Sequence, residues 1–249
     1  MDWQDRGIIL AVRTHGETSA ILELFTRANG RHLGLIRGGR SRTKRPVLQP
    51  GNVVQAEWRA RLSEHLGTYT VELLNAHAAL ALDDRTALAG LNTLTALARL
   101  LPERDPHEGL FDATLVVLDH ISDQDIWPSL LVRWELELLN ELGFGLDLET
   151  CAATGASEDL LYVSPKTGRA VSRDAGAPYK DRLFSLPSFL VSGPDPAPEL
   201  ADIVSGFALT GFFLEKHVLG PRNMNMPEAR SRLVGALETR AEGLSTSRP

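Results

Sequence analysis

The sequence predicts an α+β protein, with a small five-stranded β-barrel at the N-terminus followed by an α-helical domain. Three observations lead there. Residues 1–80 hold five short runs of β-branched or alternating residues, each closed by turn signals. After about Asp83 the apolar period becomes helical. Residues 147–187 then lose that period and gain Gly, Ser, Thr and Pro, as a loop-rich insertion does.

The first strand is GIILAV (7–12) and the second ILELF (21–25). Asn29-Gly30 between the second and third strands is a hairpin signal, since a type I′ turn needs positive φ at both central positions. The third strand is RHLGLIRG (31–38), in which Leu33 and Leu35 alternate against His32 and Gly34. The fourth, NVVQAEWRARL (52–62), alternates Val54, Ala56 and Trp58 against Gln55, Glu57 and Arg59. TYTVELL (68–74) returns across a turn at Leu66-Gly67. Closure into a barrel removes the sheet edges of so many short strands. An OB-type barrel is the reading adopted; an SH3-like barrel has the same strand count, and the pattern does not separate the two.

Leu88, Leu91, Leu94, Ala98 and Leu101 share one helical face that Pro102 ends. GLFDATLVVLDHI is a second helix. SLLVRWELELLNELG is a third, with Leu131, Trp134, Leu138 and Leu142 in one stripe and Gly143 as its C-terminal cap. After the insertion, GPDPAP (193–198) is a stiff punctuating segment. Two further helices are expected at about 199–219, broken near Gly206 or Gly211, and at 227–242, with Pro227 near its start. The layout is a barrel at 1–80 and a helical domain at 81–249, interrupted at about 147–187.

Net charge is −6, but it is unevenly spread. Residues 1–80 carry eleven basic and seven acidic side chains, +4, which leaves −10 for the rest. Seven Arg and Lys fall between Arg27 and Arg45 with no acid among them. Such segregation makes the local field a better guide to partners than the overall balance. Phosphate backbones are held by Arg and Lys, and OB barrels bind single strands with a basic groove and stacking aromatics. The candidate DNA-binding residues are Arg27, Arg31, Arg37, Arg40, Arg42, Lys44, Arg45, Arg59 and Arg61. Arg37, Arg40, Arg42, Lys44 and Arg45 are expected on a loop after the third strand. Gly38 and Gly39 beside them would let the backbone approach a phosphate and keep the loop mobile. Trp58, Phe25 and Tyr69 are the nearby aromatics, as stacking platforms or as barrel core.

Catalytic signals are weak. GLIRGGRS lacks the Lys-Ser/Thr ending of a phosphate-binding P-loop, and no HExxH, GxSxG or GxGxxG occurs. His15, His32, His65, His77, His107, His120 and His217 form no metal-ligand spacing. Asp83-Asp84 reads as a helix entry or a solvated face. Ser164-x-Lys166, near Tyr162 and Arg169, resembles a nucleophile and base, but Pro165 and the turn-like SPKTG favour a hairpin. The opening MDWQDRGIIL has acids where a secretory signal needs basic residues. The most apolar run, 207–214, is too short to cross a bilayer. A single Cys151 permits no internal disulfide. The expectation is a cytoplasmic, non-enzymatic protein without membrane partners.

HGETSAILELFTRANGRHLGLIRGGRS followed by LQPGN resembles the N-terminal barrel of the RecO family of bacterial recombination mediators. ELLNELGFGLDLETC, YVSPKTGRAVSR, TGFFLEKHV and MPEARSRLV fit the same family, in order, over nearly the whole chain. The resemblance implies an OB-fold, then a helical domain carrying a zinc-finger-like insertion. It implies binding of single- and double-stranded DNA, and annealing of complementary strands. It further implies loading of recombinase on DNA coated by single-strand-binding protein, in concert with RecR, in a nucleoid-associated setting. The acidic, phenylalanine-ended tail of single-strand-binding protein would need an apolar slot with a basic rim. Arg133 beside Trp134, or Lys216 and His217 after Phe212-Phe213, would supply one.

Many members of that family hold zinc with two C-x2-C pairs. Here Cys151-Ala-Ala-Thr154 keeps one cysteine, and GRAVSRDAG places Ser172 and Ala175 at the second pair. Structural zinc wants four N or S ligands. The expectation is no zinc, and an insertion held by packing of Leu160, Leu161, Tyr162 and Val163. The alternative function is an OB-fold RNA- or ribosome-binding module.

Overall fold

Five strands open the chain: β1 (Asp2–His15), β2 (Ser19–Thr26), β3 (Gly30–Ile36), β4 (Val53–Arg59) and β5 (Thr68–Asn75). The computed structural model describes residues 1–62, 64–191 and 198–246, so residues 193–197 of the expected stiff segment lie outside it. The strands close into a barrel in the order β1-β2-β3-β5-β4. Closure comes from one parallel pairing, Leu35 opposite Thr68; the other pairings are antiparallel.

β1 is more than twice the length of the apolar run that predicts it. Its first half pairs with β4 and its second half with β2, with a bulge between Ile9 and Ala11. A bulge adds twist and bend, which lets one strand serve two neighbours. The β2–β3 turn departs from type I′. Only Gly30 has positive φ, at 65°, and Thr26 pairs with Gly30 across a three-residue loop. Gly30 is required twice over, because an added Cβ would lie 2.1 Å from the Asp105 carbonyl oxygen. On β3 the inward face is His32, Gly34 and Ile36, while Leu33 and Leu35 are half-buried. Gly34 stands inside because the Tyr69 ring fills the space a side chain would take: an added Cβ would lie 2.4 Å from it. The core is Ile9, Leu22, Leu24, Ile36, Leu48, Val54, Ala56, Trp58 and Tyr69.

Three helices follow: α1 (His77–Ala81), α2 (Arg85–Ala98) and α3 (Glu108–Asp119). Asp84 caps α2 by accepting the Thr86 N–H at 2.7 Å. α2 ends at Ala98, and Leu100 and Leu101 are buried in the turn before Pro102. Phe25 of β2 meets Phe111 of α3 edge-on at 5.5 Å. Glu23 of β2, 2% exposed, accepts from Arg31 at 2.6 Å and from Arg99 after α2 at 3.0 Å. The chain accordingly divides into compact units at Met1–Ser122 and Asp123–Pro249, later than the change from strand to helix near residue 80.

The second unit begins with α4 (Trp127–Glu141). Gly143, φ 84°, ends it: its N–H reaches Asn140 O at 2.9 Å, and the Phe144 N–H reaches Leu139 O at 2.7 Å. The insertion is more ordered than its composition suggests. β6 (Leu160–Val163), β7 (Ala170–Ser172) and β8 (Phe184–Ser185) form a sheet in the order β7-β6-β8, with α5 (Arg173–Gly176) after β7. Ser164 to Gly168 is the β6–β7 hairpin turn, with the Gly168 N–H on Ser164 O at 2.9 Å. Val163 is fully buried; Leu160, Leu161 and Tyr162 are half-buried.

α6 (Leu200–Phe213) runs unbroken through Gly206 and Gly211 and widens to a π-helical turn at Leu214–Leu219. These glycines serve packing: an added Cβ would lie 2.8 Å from Val132 at Gly206 and 2.7 Å from the Arg230 guanidinium at Gly211. Arg230, on α7 (Glu228–Thr246), enters that gap and meets Glu135 of α4 through two bonds of 2.8 Å. It also donates to Phe207 O at 2.7 Å, and the Thr210 hydroxyl donates to Glu135. Glu135 is 0% exposed, so removing Arg230 strands a charge in the core. Arg230→Met is expected to cost about 3–5 kcal/mol, read as a lowered urea midpoint.

Candidate nucleic-acid interface

The basic segment after β3 is braced at both ends. At its start, the Arg40 N–H bonds Thr18 O at 3.1 Å, and the Arg40 guanidinium donates to Gly16 O at 3.2 Å and Glu17 O at 2.7 Å. Those acceptors belong to the β1–β2 turn. In its middle, Ser41 O accepts from the Lys44 and Arg45 N–H groups, and the Lys44 ammonium donates to Arg37 O at 2.8 Å. At its end Leu48, 4% exposed, plugs the barrel core, a burial worth about 1.5–3 kcal/mol. Asn52 locks the exit: its amide donates to Pro46 O and Val47 O, and its Oδ1 accepts the Ala78 N–H at 3.0 Å.

The two glycines play different parts. Gly38 takes a positive φ of 65° in open space, as a turn demands. Gly39 is packed, with an added Cβ 2.8 Å from Ala20. The loop is held by its own hydrogen bonds and by those to the β1–β2 turn.

The nine candidate cations fall into two groups. Arg37, Arg40, Arg42, Lys44 and Arg45 are all exposed, and among the described residues none pairs with a carboxylate. Arg61 is exposed beyond β4. Arg27, in contrast, is held by Glu108 at 2.6 Å and Asp112 at 3.0 Å. The same hydrogen bond, aided by the Arg27 charge, keeps the Asp112 carboxyl below its ordinary range. Arg31 is half-buried between Glu23 at 2.6 Å and the Leu101 carbonyl at 2.8 Å. Arg59 lies against Glu57. For Arg27 and Arg31, spacing in the sequence does not reveal this division, because their carboxylates lie on α3 and β2.

Phe25, Trp58 and Tyr69 are 0%, 2% and 5% exposed; Trp58 and Tyr69 belong to the barrel core, and Phe25 is buried against Phe111 of α3. The Trp58 indole N–H donates to Leu66 O at 3.0 Å. His32 lies edge-on to Trp58, with centroids 4.9 Å apart, and its Nδ1 is 3.2 Å from the Tyr69 hydroxyl. Burial, reinforced by the charge of Arg104, lowers the His32 pKa to about 4.

In the second unit, Phe144, Phe184 and Phe212 line an apolar surface rimmed by Lys216 and His217. Phe144 and Phe212 are 38% and 37% exposed. His217 stacks on Phe144 at 5.3 Å, and Phe184 meets Phe212 at 5.0 Å. The Lys216 ammonium stands 5.5 Å from the Phe212 centroid and donates to Pro165 O at 2.6 Å. Trp134 is 1% exposed, and Arg133 covers the Phe189 ring and donates to its carbonyl, so that pair is interior.

The cysteine of the insertion faces its expected partner position. Ser172 donates its N–H to Cys151 Sγ at 3.2 Å, and the two side chains are 3.4 Å apart. Among the described residues, no three His, Cys, Asp or Glu side chains converge as metal ligands. One thiol and one hydroxyl do not fit a structural zinc site.

Barrel order and sheet closure in the first unit, with helices dominating the second, define an OB-fold protein with a helical unit. Residues 1–77 match the family described as "Recombination protein O N terminal" and residues 82–225 "Recombination protein O C terminal". The chain is 55% identical over 237 residues to "DNA repair protein RecO" of Mesorhizobium japonicum, covering 95% of this chain and 94% of that one. It is 56% identical over 236 residues to the protein of the same name from Rhizobium etli (strain CFN 42), covering 95% and 92%. For the one from Methylorubrum extorquens (strain PA1) the values are 52% over 239 residues, 94% and 97%. The chain belongs to the RecO family of DNA repair proteins. Among the described residues, no helix is long and apolar enough to cross a membrane.

The His32 geometry sets a pH dependence. In the unfolded chain the imidazole protonates near 6.5, in the barrel only near 4. The unfolded state therefore takes up the proton first on acidification, and this contribution to stability is full above 6.5 and lost between 6.5 and about 4. Between pH 7 and pH 5 the loss is about 2 kcal/mol. Urea midpoints at the two pH values should show it, and His32→Asn should flatten the difference.

Proposed function

We propose that this chain is a non-enzymatic recombination mediator that holds DNA by its phosphates on the braced loop from Arg37 to Arg45. The observation that carries the reading is five exposed cations on one hydrogen-bonded loop, none neutralised by a carboxylate among the described residues. Arg and Lys bound to phosphates release condensed counterions, which gives affinity without sequence preference. A mediator must bind any sequence, so this is the chemistry it needs. With Phe25, Trp58 and Tyr69 in the core, the contact leans on charge more than on stacking at those residues.

Annealing makes and breaks no covalent bond. Complementary strands pair on their own once their repulsion is lowered and a coating protein is displaced. In this reading the protein binds single- and double-stranded DNA, anneals strands, and helps load recombinase on coated single strands together with RecR. Its place is the cytoplasm, at the nucleoid. The apolar surface of Phe144, Phe184 and Phe212, with Lys216 and His217 at its rim, suits the acidic phenylalanine-ended tail of single-strand-binding protein. The acidic remainder of the chain disfavours nucleic acid elsewhere.

Replacing Arg37, Arg42 and Arg45 by Gln tests the loop. Binding to a single-stranded oligonucleotide should weaken, the slope of log K against log salt should shrink by about 2, and annealing of coated strands should slow. Unchanged binding removes the loop as the docking surface, and preference for hairpin RNA over single-stranded DNA redirects the reading to an RNA-binding module. The insertion is proposed to fold without zinc. Metal analysis of chelator-washed, folded protein should find less than stoichiometric zinc; one equivalent per chain contradicts it.

A further inference from the structure

The pole of the barrel away from the basic loop carries a second feature. β1 runs from Trp3, beside this pole, to His15 at the β1–β2 turn that fastens Arg40. A cavity of about 510 Å³ opens between the start of β1, the β2–β3 turn, the end of β4 and the segment after α2. That lies within the range of small-ligand sites, about 300–1,000 Å³. Its lining combines aromatic rings (Trp3, His32, Trp58) with Asp2, Asn29 and Arg104.

Trp3 is stacked on Trp58 with centroids 5.7 Å apart and planes 18° apart, and meets His32 edge-on at 5.2 Å. Trp58, His32 and Tyr69 are buried, while Trp3 is half-buried, so Trp3 is the ring with surface still to offer. The platform is rigid. Gly67 lies so close to the Trp58 indole that an added Cβ would fall 2.4 Å from it, and the Trp58 N–H is tied to Leu66 O. Hydrogen bonding of His32 Nδ1 to the Leu33 carbonyl at 3.0 Å places its proton there, and leaves Nε2 of the neutral ring as an acceptor.

Arg104 supplies the charge. It is exposed, and its backbone adopts φ 63°, a conformation that is strained for a non-glycine residue. The neighbourhood enforces it: the Arg104 N–H bonds Arg31 O at 2.8 Å, and Glu103 bridges Arg31 in parallel. The guanidinium reaches the His65 carbonyl only at 3.4 Å and forms no ion pair among the described residues. A cation held by a strained backbone beside a half-open indole stack is arranged for a planar ring that bears a negative group.

We propose that this cavity binds one nucleotide of a nucleic acid strand, with the base stacked against Trp3 and the phosphate on Arg104. The site is separate from the basic loop and adds to it: the loop grips several phosphates without regard to bases, and the cavity seats a single base. Stacking on an aromatic ring is tolerant of sequence, because every base has a π-face. This rests on the nucleic-acid reading for its choice of ligand, and on the cavity for its place. Asp2 at the rim opposes any phosphate, so inorganic phosphate, which has no base to stack on Trp3, should bind poorly.

The test is a titration of the full chain with thymidine 5′-monophosphate, read by tryptophan fluorescence, with thymidine and inorganic phosphate as separate arms. Saturable quenching is expected with the nucleotide, at least tenfold weaker affinity with either fragment, and at least tenfold weaker nucleotide binding by Arg104→Gln. Trp3→Ala should abolish the quenching and Trp3→Phe should keep nucleotide binding, followed for that variant by calorimetry. If Trp3→Ala fails to fold, the exposed Arg104→Gln decides. Absence of saturable quenching, or equal quenching in Arg104→Gln, overturns the proposal. The loop variant with Arg37, Arg42 and Arg45 replaced separates the two readings. It should lose oligonucleotide affinity while binding the mononucleotide as before. Oligonucleotide binding that depends on the loop but is indifferent to Trp3 and Arg104 would remove the cavity and leave the loop reading intact.

Discussion

A carboxylate taken out of water must be met by cations, and each unit is organised around one that is. Glu23, 2% exposed on the outer wall of the barrel, draws in Arg31 from β3 and Arg99 from the end of α2. Glu135, fully buried on α4, draws Arg230 across from α7 through the gap at Gly211. Breaking such a pair costs far more than forming it contributes, because the remaining charge has no solvent. These contacts act on geometry: they decide which helix lies against which strand, and where glycine is obligatory.

The same constraint sorts the basic segment. Arg31 is committed to Glu23, and Arg27 to Glu108 and Asp112, so both serve the joint between barrel and helices of the first unit. The five cations beyond β3 have no such duty. Their loop is held by backbone carbonyls, by Leu48 in the core and by Asn52. Carbonyl acceptors fix position without cancelling charge, which leaves a positive field in a defined place. A field of that kind attracts phosphate at long range and is sensitive to salt.

Much of this was legible in the sequence. Alternation in β4 and the helical stripes of α2 and α4 follow burial, so periodicity found them. The inward face of β3 was not legible. It carries His32 and Gly34, polar or absent side chains that fit only because Tyr69 and Trp58 lie across the barrel. Gly206 and Gly211 read as helix breaks, yet they admit Val132 and Arg230, and nothing local announces a distant partner. The LQPGN segment marked the family. Its physical meaning, a core plug, a turn with φ 88° at Gly51 and the Asn52 lock, required the fold. The aromatic cavity at the far pole joins residues from Met1 to Pro106, a spacing no motif carries.

Electrostatic capture by the loop is the claim on which the functional reading stands. Anisotropy of a labelled single-stranded oligonucleotide, titrated with the unaltered chain at several salt concentrations, addresses it most directly. Three to five neutralised phosphates predict a log–log slope of about −2 to −4, at about −0.7 for each contact. A slope near zero, or no binding at low salt, would contradict it and leave a protein that meets only other proteins.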